Sequence, residues 1–396
     1  MVGAGFAGLA AAEALLRAGV EVTVLEARDR VGGRVWSQRL GNGAVVEMGA
    51  EFVLPGHDVL RATAARLGLA LYEKGTLYGD REPRGGPPVS RDELRAALAR
   101  LPVLRGGSVA DALAGIESEG ARAAIGARVA VSSAYELDDQ PAAVLGNSGS
   151  GFGAYPSHGV AGGNQELAQA LARELGGRVR LDAPVARIAW GDEGVVVTAR
   201  GTEVAADACV VAVPAPHAGE IAFDPPLPDW KRDALAAVRY GDAAKLFLPL
   251  AAPAEPSATL AVPDRFWTWT QRAPDGSPLP AACSFAGTAT ALRLLDVDGG
   301  PAAWAGAVAR LRPDLVLAGA EPVLSTWHDD PWARAAYSAR SLASPLADEA
   351  LARPVGPLAF AGEHTAVEWH ALMEGALRSG LRAADEVLAA PTPDPR

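Results

Sequence analysis

The chain has 396 residues, of which 49% are hydrophobic and 21% charged, and this composition predicts an ordinary globular protein with room for two domains. Acidic residues outnumber basic ones by 47 to 36, and the net charge of −11 argues against nucleic acid or an anionic membrane surface as partner. With two cysteines and six histidines in no spaced ligand pattern, neither a disulfide framework nor a metal site is expected.

Targeting and membrane segments are not predicted. No apolar run approaches the ~20 residues needed to span a bilayer, and no signal peptide precedes the first motif. We therefore expect a cytoplasmic enzyme without a membrane partner; the alternative is an exported protein whose signal lies in a missing N-terminal segment. The sequence carries no signal for a particular oligomeric state.

The first 26 residues predict a dinucleotide-binding turn. Gly3, Gly5 and Gly8 have the spacing GxGxxG, and a small-residue helix and a β-branched strand ending at Glu26 follow them. Gly3 permits the tight turn, Gly5 lets the backbone approach a pyrophosphate, and Gly8 lets the helix lie close to the strand. The helix N-terminus favours the anionic pyrophosphate. Glu26 is placed to accept hydrogen bonds from a ribose diol.

The first strand is unusually short. Only Met1 and Val2 precede Gly3, although such a strand normally supplies several apolar residues at the centre of a parallel sheet. We expect a short N-terminal extension, and the alternative is a protein that tolerates a clipped central strand.

The remaining sequence predicts further helices and strands. Periodicity predicts helices at 57–70, 91–100, 165–175 and 302–311 and a last helix ending near residue 388; strand pairs within 41–51 and 185–199; and strands at 207–214, 246–250, 265–270 and 282–287. Alternation in the strand 265–270 places Trp267 and Trp269 on one face.

The order of these elements predicts an α/β protein with a discontinuous first domain. Residues 1–74, 156–225 and 335–396 are expected to form a Rossmann-like dinucleotide-binding domain. Residues 75–155, mostly helical, and 226–334 are expected to leave that domain and build a sheet-and-helix substrate-binding domain.

A second segment indicates which kind of dinucleotide the turn would bind. The run from Glu26 to Arg34 resembles the ExRxRxGGR segment of FAD-dependent oxidases and desaturases. By this resemblance Gly33 would allow a second backbone approach, with Arg28 and Arg34 near phosphate. The resemblance therefore implies FAD, where the glycine turn alone would also admit a nicotinamide dinucleotide.

Most of the chain, from Val2 to about Val387, resembles the flavin monoamine oxidase family, which includes polyamine oxidases. The resemblance rests on separated motifs in the family order: the N-terminal fingerprint, Gly162-Gly163, Pro184-Val185, the run 221–228 (IAFDPPLP) with Lys245, Trp327 to Ser338, and the endings FAGEHT and MEGA. It implies the two-domain fold described above.

The resemblance also implies which residues surround the cofactor. Val185 would offer its backbone to adenine, and Gly362 and Glu363 would lie at the ribityl–phosphate region. Backbone N–H groups near Met373, at the start of the last helix, would face the flavin pyrimidine ring. Covalent members carry cysteine where this chain has Ala336, so non-covalent FAD is implied.

Three residues are implied as catalytic. Lys245 would hold a water beside flavin N5, and Tyr337 would be the first ring of an aromatic pair over the flavin. Leu372 occupies the second position, so the aromatic cage is half present.

The implied reaction is amine oxidation: hydride passes from the α-carbon of a small amine to flavin N5, an imine leaves, and O₂ is reduced to H₂O₂. Because Leu372 replaces the second ring, an alternative function is that of a desaturase or tailoring dehydrogenase acting on a larger metabolite. The short first strand allows a further alternative, a protein that has lost its flavin and its activity. An L-amino-acid oxidase is less favoured because Phe52 stands where the carboxylate-binding arginine is expected, although an arginine from 75–155 could serve. Glu51 and His57 could bind a second amine, but ordinary structural pairing is favoured.

Overall fold

The computed structural model describes residues 1–101, 107–146 and 153–390. Its helices are α1 (Phe6–Arg17), α2 (Asp58–Arg66), α3 (Arg91–Arg100), α4 (Val109–Ala114), α5 (Glu119–Ser133), α6 (Gln165–Leu175), α7 (Ala215–Glu220), α8 (Asp229–Ala237), α9 (Ala289–Leu294), α10 (Ala302–Leu311), α11 (Asp348–Ala352) and α12 (Met373–Ala389). Its strands are β1 (Val24–Leu25), β2 (Ser37–Arg39), β3 (Val45–Glu47), β4 (Leu71–Leu77), β5 (Glu82–Arg84), β6 (Pro156–Val160), β7 (Val179–Arg180), β8 (Val185–Gly191), β9 (Gly194–Ala199), β10 (Thr202–Ala206), β11 (Cys209–Val211), β12 (Ala222–Asp224), β13 (Arg239–Tyr240), β14 (Ala243–Pro249), β15 (Ser257–Ala261), β16 (Phe266–Thr270), β17 (Ala281–Gly287), β18 (Val323–Thr326), β19 (Ser338–Ala339) and β20 (Leu358–Phe360).

The N-terminal residues lie at the centre of a parallel arrangement, as predicted. Val2 forms parallel bridges to Leu25 of β1 on one side and to Val211 of β11 on the other. β1 continues the arrangement by pairing with β7, and β11 by pairing with β20. Met1 and Val2 therefore occupy the position of the central strand. The expected N-terminal extension stays a prediction.

Small residues let the helices lie close to this sheet and to each other. A Cβ on Gly8 would lie 2.0 Å from the carbonyl oxygen of Gly3, which agrees with the predicted helix-to-strand contact. Likewise, a Cβ on Gly380 of α12 would lie 2.2 Å from the carbonyl oxygen of Ala7 in α1. α1, α6 and α12 share one core of buried apolar side chains, which includes Leu9, Leu167 and Leu377.

A second sheet has the strand order β18-β14-β17-β16-β15-β5. β5 comes from the first predicted excursion, 75–155, and the other five strands come from the second, 226–334. β4 and β6 pair antiparallel where the chain leaves and re-enters the first domain. The predicted domain boundaries stay a prediction, and the sharing of one sheet by both excursions supports them.

The predicted elements differ from the structure mainly at their ends. α3, α6 and α10 have the predicted bounds, whereas the strand pair predicted within 41–51 begins earlier, as β2 paired with β3. The reason is that Gly43, at a φ of 89°, forms the hairpin turn instead of belonging to a strand. Trp267 and Trp269 lie on one face of β16, as their alternation predicted, and their indole rings stack with centroids 4.1 Å apart.

Across the described ranges, no helix combines the length and apolar character needed to cross a membrane.

Candidate active site

A cavity opens beside the N-terminal turn and the ends of the parallel strands. Ten of the eleven residues predicted to bind the cofactor line it: Gly3, Gly5, Glu26, Arg28, Gly33, Arg34, Val185, Gly362, Glu363 and Met373. The eleventh, Gly8, lies behind the turn against Gly3. We call this space the cofactor cavity.

The turn has the backbone that a dinucleotide needs. Gly3 has a φ of 99°, and a Cβ there would lie 2.8 Å from the carbonyl oxygen of Ala212, so only glycine fits. A Cβ on Gly5 would meet no atom within 4 Å, so this face of the turn is open to the cavity. α1 begins immediately afterwards at Phe6, with no side-chain cap and no acidic residue in its first turn. Its free N–H groups suit a phosphate anion, so the turn fits the proposed cofactor.

Glu26 is buried at the edge of the same turn. Its carboxylate accepts hydrogen bonds from the backbone N–H of Ala4 at 2.6 Å and of Arg28 at 2.9 Å. A carboxylate has about four lone-pair sites, so Glu26 keeps acceptor capacity towards the cavity. The two backbone bonds fix the orientation of its carboxylate.

The two predicted phosphate-region arginines are already paired with acids. Arg28 donates two hydrogen bonds to Asp330, each of 2.7 Å, and Arg34 donates to Glu363 at 3.0 Å and to the carbonyl of Ala336 at 2.6 Å. Burial acts to raise the pKa of Glu363, yet the Arg34 guanidinium holds it below its usual value. The sequence predicted neither pairing, and both pairings restrict the charge that the arginines can offer a phosphate.

A larger cavity of about 780 Å³ adjoins the cofactor cavity. Its walls carry several aromatic side chains: Phe52, Tyr78, Trp267, Trp269, Phe285 and Trp369. Eight residues line both cavities: Gly49, Ala50, Lys245, Phe285, Tyr337, Ala371, Leu372 and Met373. We call these eight residues the seam, and it contains all three residues predicted to be catalytic.

Lys245 is held in place by a buried cluster of charges. Its Nζ donates to the backbone carbonyl of Glu47 at 2.7 Å and to the carboxylate of Glu51 at 2.6 Å, and Lys74 donates to the other oxygen of Glu51 at 2.5 Å. Burial acts to raise the pKa of Glu51, but the two ammonium groups hold it below its usual value. Glu51 is thus a structural partner, in agreement with the favoured prediction.

Tyr337 and Leu372 are also fixed by their surroundings. The Tyr337 hydroxyl donates to the carbonyl of Ser132 at 2.7 Å. Leu372 immediately precedes α12, and the first turn of that helix is anchored because Glu374 accepts hydrogen bonds from the N–H groups of Val59 and Leu60 at the start of α2. The wall of the seam therefore depends on contacts between elements far apart in the sequence.

Three charged residues at or beside the cavities were not predicted individually. Lys74 pairs with Glu51, Asp330 pairs with Arg28, and Arg81 lies buried in the wall of the larger cavity. Arg81 belongs to the segment 75–155, from which an arginine was expected to be able to bind a substrate carboxylate. The only local indication that Lys74 is paired is that a charged residue lies inside a strand.

The fold thus places a glycine turn at one cavity and joins that cavity to a larger one. The family model described as flavin containing amine oxidoreductase matches residues 6–86 and 90–388, and the chain belongs to that family. It is accordingly an enzyme of the flavin-containing amine oxidase family, and a flavin is its cofactor.

Relatives cover almost the whole chain. A Mycobacterium tuberculosis protein assigned as flavin-containing monoamine oxidase AofH is 30% identical over an alignment covering 98% of this chain and 96% of that protein. Polyamine oxidase 4 of Oryza sativa subsp. japonica is 29% identical, with 98% and 87% covered. A solved structure of a putrescine oxidase double mutant matches the fold with a TM-score of 0.86 at 24% identity, covering 98% of both chains.

Proposed function

We propose that the chain binds FAD non-covalently and oxidises a small amine at the carbon next to its nitrogen. The observation that carries the proposal is the position of Lys245, Tyr337 and Leu372, which line both the cofactor cavity and the larger cavity. Bound FAD would supply the redox chemistry, taking a hydride at N5 so that an imine forms and passing the electrons to O₂ to give H₂O₂.

The cofactor cavity offers a distinct contact for each part of FAD. The open face of Gly5 and the uncapped start of α1 suit the pyrophosphate, and the remaining acceptor sites of Glu26 suit a ribose. Val185 lies in the wall proposed for adenine, and Gly362, Glu363 and Met373 lie in the wall proposed for the rest of the cofactor.

Non-covalent binding is supported by the positions of the thiols. Ala336 precedes Tyr337 in the wall of the cofactor cavity, whereas Cys209 and Cys283 are buried elsewhere and line neither cavity. Burial raises the pKa of the Cys209 thiol, which disfavours the nucleophilic thiolate.

Lys245 can hold a water at the seam. An ammonium group has three N–H donors, and the carbonyl of Glu47 and the carboxylate of Glu51 use two of them. The third remains for a water beside the reacting carbon, where it can move a proton during oxidation of the amine or of the reduced cofactor.

The seam favours the neutral form of the amine. Phe285, Tyr337 and Leu372 offer no negative charge to an ammonium ion, and the Lys245 ammonium would repel it, so a protonated amine would be buried without a counter-ion, which costs free energy. A neutral amine has the nitrogen lone pair that assists hydride loss from the adjacent carbon. The protein thus acts by positioning the substrate and excluding water, with no strong side-chain base.

The test replaces Lys245 with methionine. We expect Lys245→Met to retain FAD, because Lys245 is assigned to the seam water, and to slow turnover by about 100-fold, as for loss of a proton-transfer group. Rapid mixing under anaerobic conditions measures cofactor reduction by an amine panel, and mixing the reduced enzyme with O₂ measures reoxidation and peroxide release.

Lys74→Met is the matched control. It also leaves Glu51 with a single lysine partner, but Lys74 lines neither cavity. A comparable loss of stability with a much smaller loss of rate would assign the effect to the Lys245 ammonium itself. Unchanged rates of both half-reactions in Lys245→Met, or equal slowing in the two variants, would contradict the assignment.

A further inference from the structure

The larger cavity contains a buried cation that has no acidic partner among the residues that the structure describes. Arg81, between β4 and β5, is 7% exposed and lines this cavity. Its Nε donates to the carbonyl of Tyr78 at 3.3 Å, while Nη1 is buried with no hydrogen-bond partner among the described residues. A buried guanidinium with an unused N–H is costly, so this group is prepared for an anion.

Aromatic rings hold the guanidinium in a fixed plane. Its Cζ lies 3.5 Å from the centroid of the Trp267 ring and 5.1 Å from that of Tyr78. These stacking contacts stabilise the cation but leave its in-plane N–H groups available. Burial and the neighbouring Arg128 hold the pKa of Arg81 well below its usual value, as expected for a cation that lacks a counter-ion.

The acids that line this cavity are not available to Arg81. Glu51 is bound by Lys74 and Lys245, and Glu368 is solvent-exposed. Arg340, the other arginine in the wall, already has Asp348 as partner at 2.7 Å. Within the described ranges, Arg81 is thus the buried cavity-lining charge that is left without an ion pair.

Arg81 and the seam residue Lys245 approach different members of the stacked indole pair. Arg81 lies over Trp267, Trp267 stacks on Trp269 at 4.1 Å, and Lys245 Nζ approaches Trp269 at 5.9 Å. A carboxylate attached directly to the oxidised carbon would have to stay at the seam. Arg81 lines only the larger cavity and is not a seam residue, so an anion bound there is separated from a carbon that reacts at the seam.

We propose that Arg81 binds the carboxylate of an amine substrate whose amino group reacts at the seam, which makes the substrate an ω-amino carboxylate. The proposal rests on the amine oxidation proposed above and adds the substrate class. It disfavours a diamine, because the second ammonium group of a diamine would approach the Arg81 guanidinium with like charge. The guanidinium fork matches a carboxylate in geometry as well as in sign.

The first arm of the test measures binding without turnover. Isothermal titration calorimetry of the FAD-loaded enzyme with pentanoate, which has no amino group, should show binding that weakens by about 10- to 100-fold in Arg81→Met. Arg81→Lys, which keeps the charge, should recover part of the affinity. Pentanoate that fails to bind the wild type, or binds it no better than it binds Arg81→Met, would overturn the proposal even if no amine is oxidised.

The second arm compares four five-carbon amines: pentylamine, 5-aminopentanoate, 2-aminopentanoate and pentane-1,5-diamine. We expect kcat/KM for 5-aminopentanoate to exceed that for pentylamine by about 10- to 100-fold through a lower KM, with the preference lost in Arg81→Met. Arg340→Met removes a charge that is already paired, and it should keep the preference. A wild-type preference for 2-aminopentanoate or for the diamine would overturn the proposal. If none of the four reduces the flavin, the proposed function fails, and the calorimetric arm alone decides the role of Arg81.

Discussion

Burial and ion pairing fix the positions of individual charged side chains in this protein. Glu51 binds Lys74 and Lys245 at once, so three charges share one buried cluster beside the seam. Removing one partner from such a cluster leaves an uncompensated charge and typically costs about 3–5 kcal/mol. The cluster therefore fixes the position of the Lys245 ammonium more firmly than a single hydrogen bond could.

His364 provides a prediction about pH. It is 3% exposed, and burial lowers its pKa from 6.5 to about 4, although Glu363 opposes the shift. Between these two pH values the unfolded chain binds the proton and the native protein does not. Stability from this residue is therefore complete above pH 6.5 and is lost as the pH falls towards 4, by roughly 3 kcal/mol.

Urea unfolding of the FAD-saturated protein at pH 7 and pH 4.5 checks this expectation. His364→Asn should lose less unfolding free energy between the two pH values than the wild type. His328→Asn, which removes an imidazole from an exposed position, is the control. A His364→Asn variant with the same pH dependence as the wild type would show that His364 does not titrate in this range.

At the scale of elements, the cofactor turn depends on close contact between helices. α12 lies against α1 at Gly380, and its first turn is tied to α2 through Glu374. Because α1 begins directly after Gly5, any displacement of α12 would be transmitted to the turn that is proposed to hold the pyrophosphate. We therefore expect loosening of the helix contact to weaken cofactor binding.

Gly380→Ala tests this link. The added Cβ would lie 2.2 Å from the carbonyl oxygen of Ala7, so the helices must separate, and we expect a loss of about 1–3 kcal/mol. FAD occupancy, measured as the ratio of visible to ultraviolet absorbance after gel filtration, should fall with it. Gly219→Ala in α7 is the matched control, since a Cβ there meets no atom within 4 Å. Full stability and full FAD occupancy in Gly380→Ala would rule out the link.

At the scale of the whole molecule, distant segments meet around two adjoining cavities. The N-terminal turn, the strand carrying Lys245 and the start of α12 all line the cofactor cavity, and a sheet shared by both excursions lies beside it. No cysteine belongs to either wall, although both cysteines lie within the described residues. The assembled site thus places no thiol where a covalent bond to the flavin could form.

Acid precipitation tests this property of the assembled site. We expect trichloroacetic acid to release all of the flavin into the supernatant, since we propose that only non-covalent contacts hold it. The absorbance spectra of supernatant and redissolved pellet measure the division. Yellow colour that stays with the washed polypeptide would contradict the prediction.

The sequence by itself determined the features that depend on residues close together along the chain. The glycine turn, the bounds of α6 and the shared face of Trp267 and Trp269 follow from backbone sterics and from helix or strand periodicity. These effects act over a few residues, so they are readable without the fold. The resemblance of separated motifs then extended the prediction to the family and to the residues of the seam.

Only the tertiary structure decided how charged side chains pair. Arg28 meets Asp330 across 302 positions, Lys245 meets Glu51 across 194, and no local pattern encodes either contact. Arg81 could be placed in a segment but not in a cavity, because its burial depends on Trp267 of a different strand. Electrostatic energies depend on distance and burial in three dimensions, and both are set only when the chain has folded.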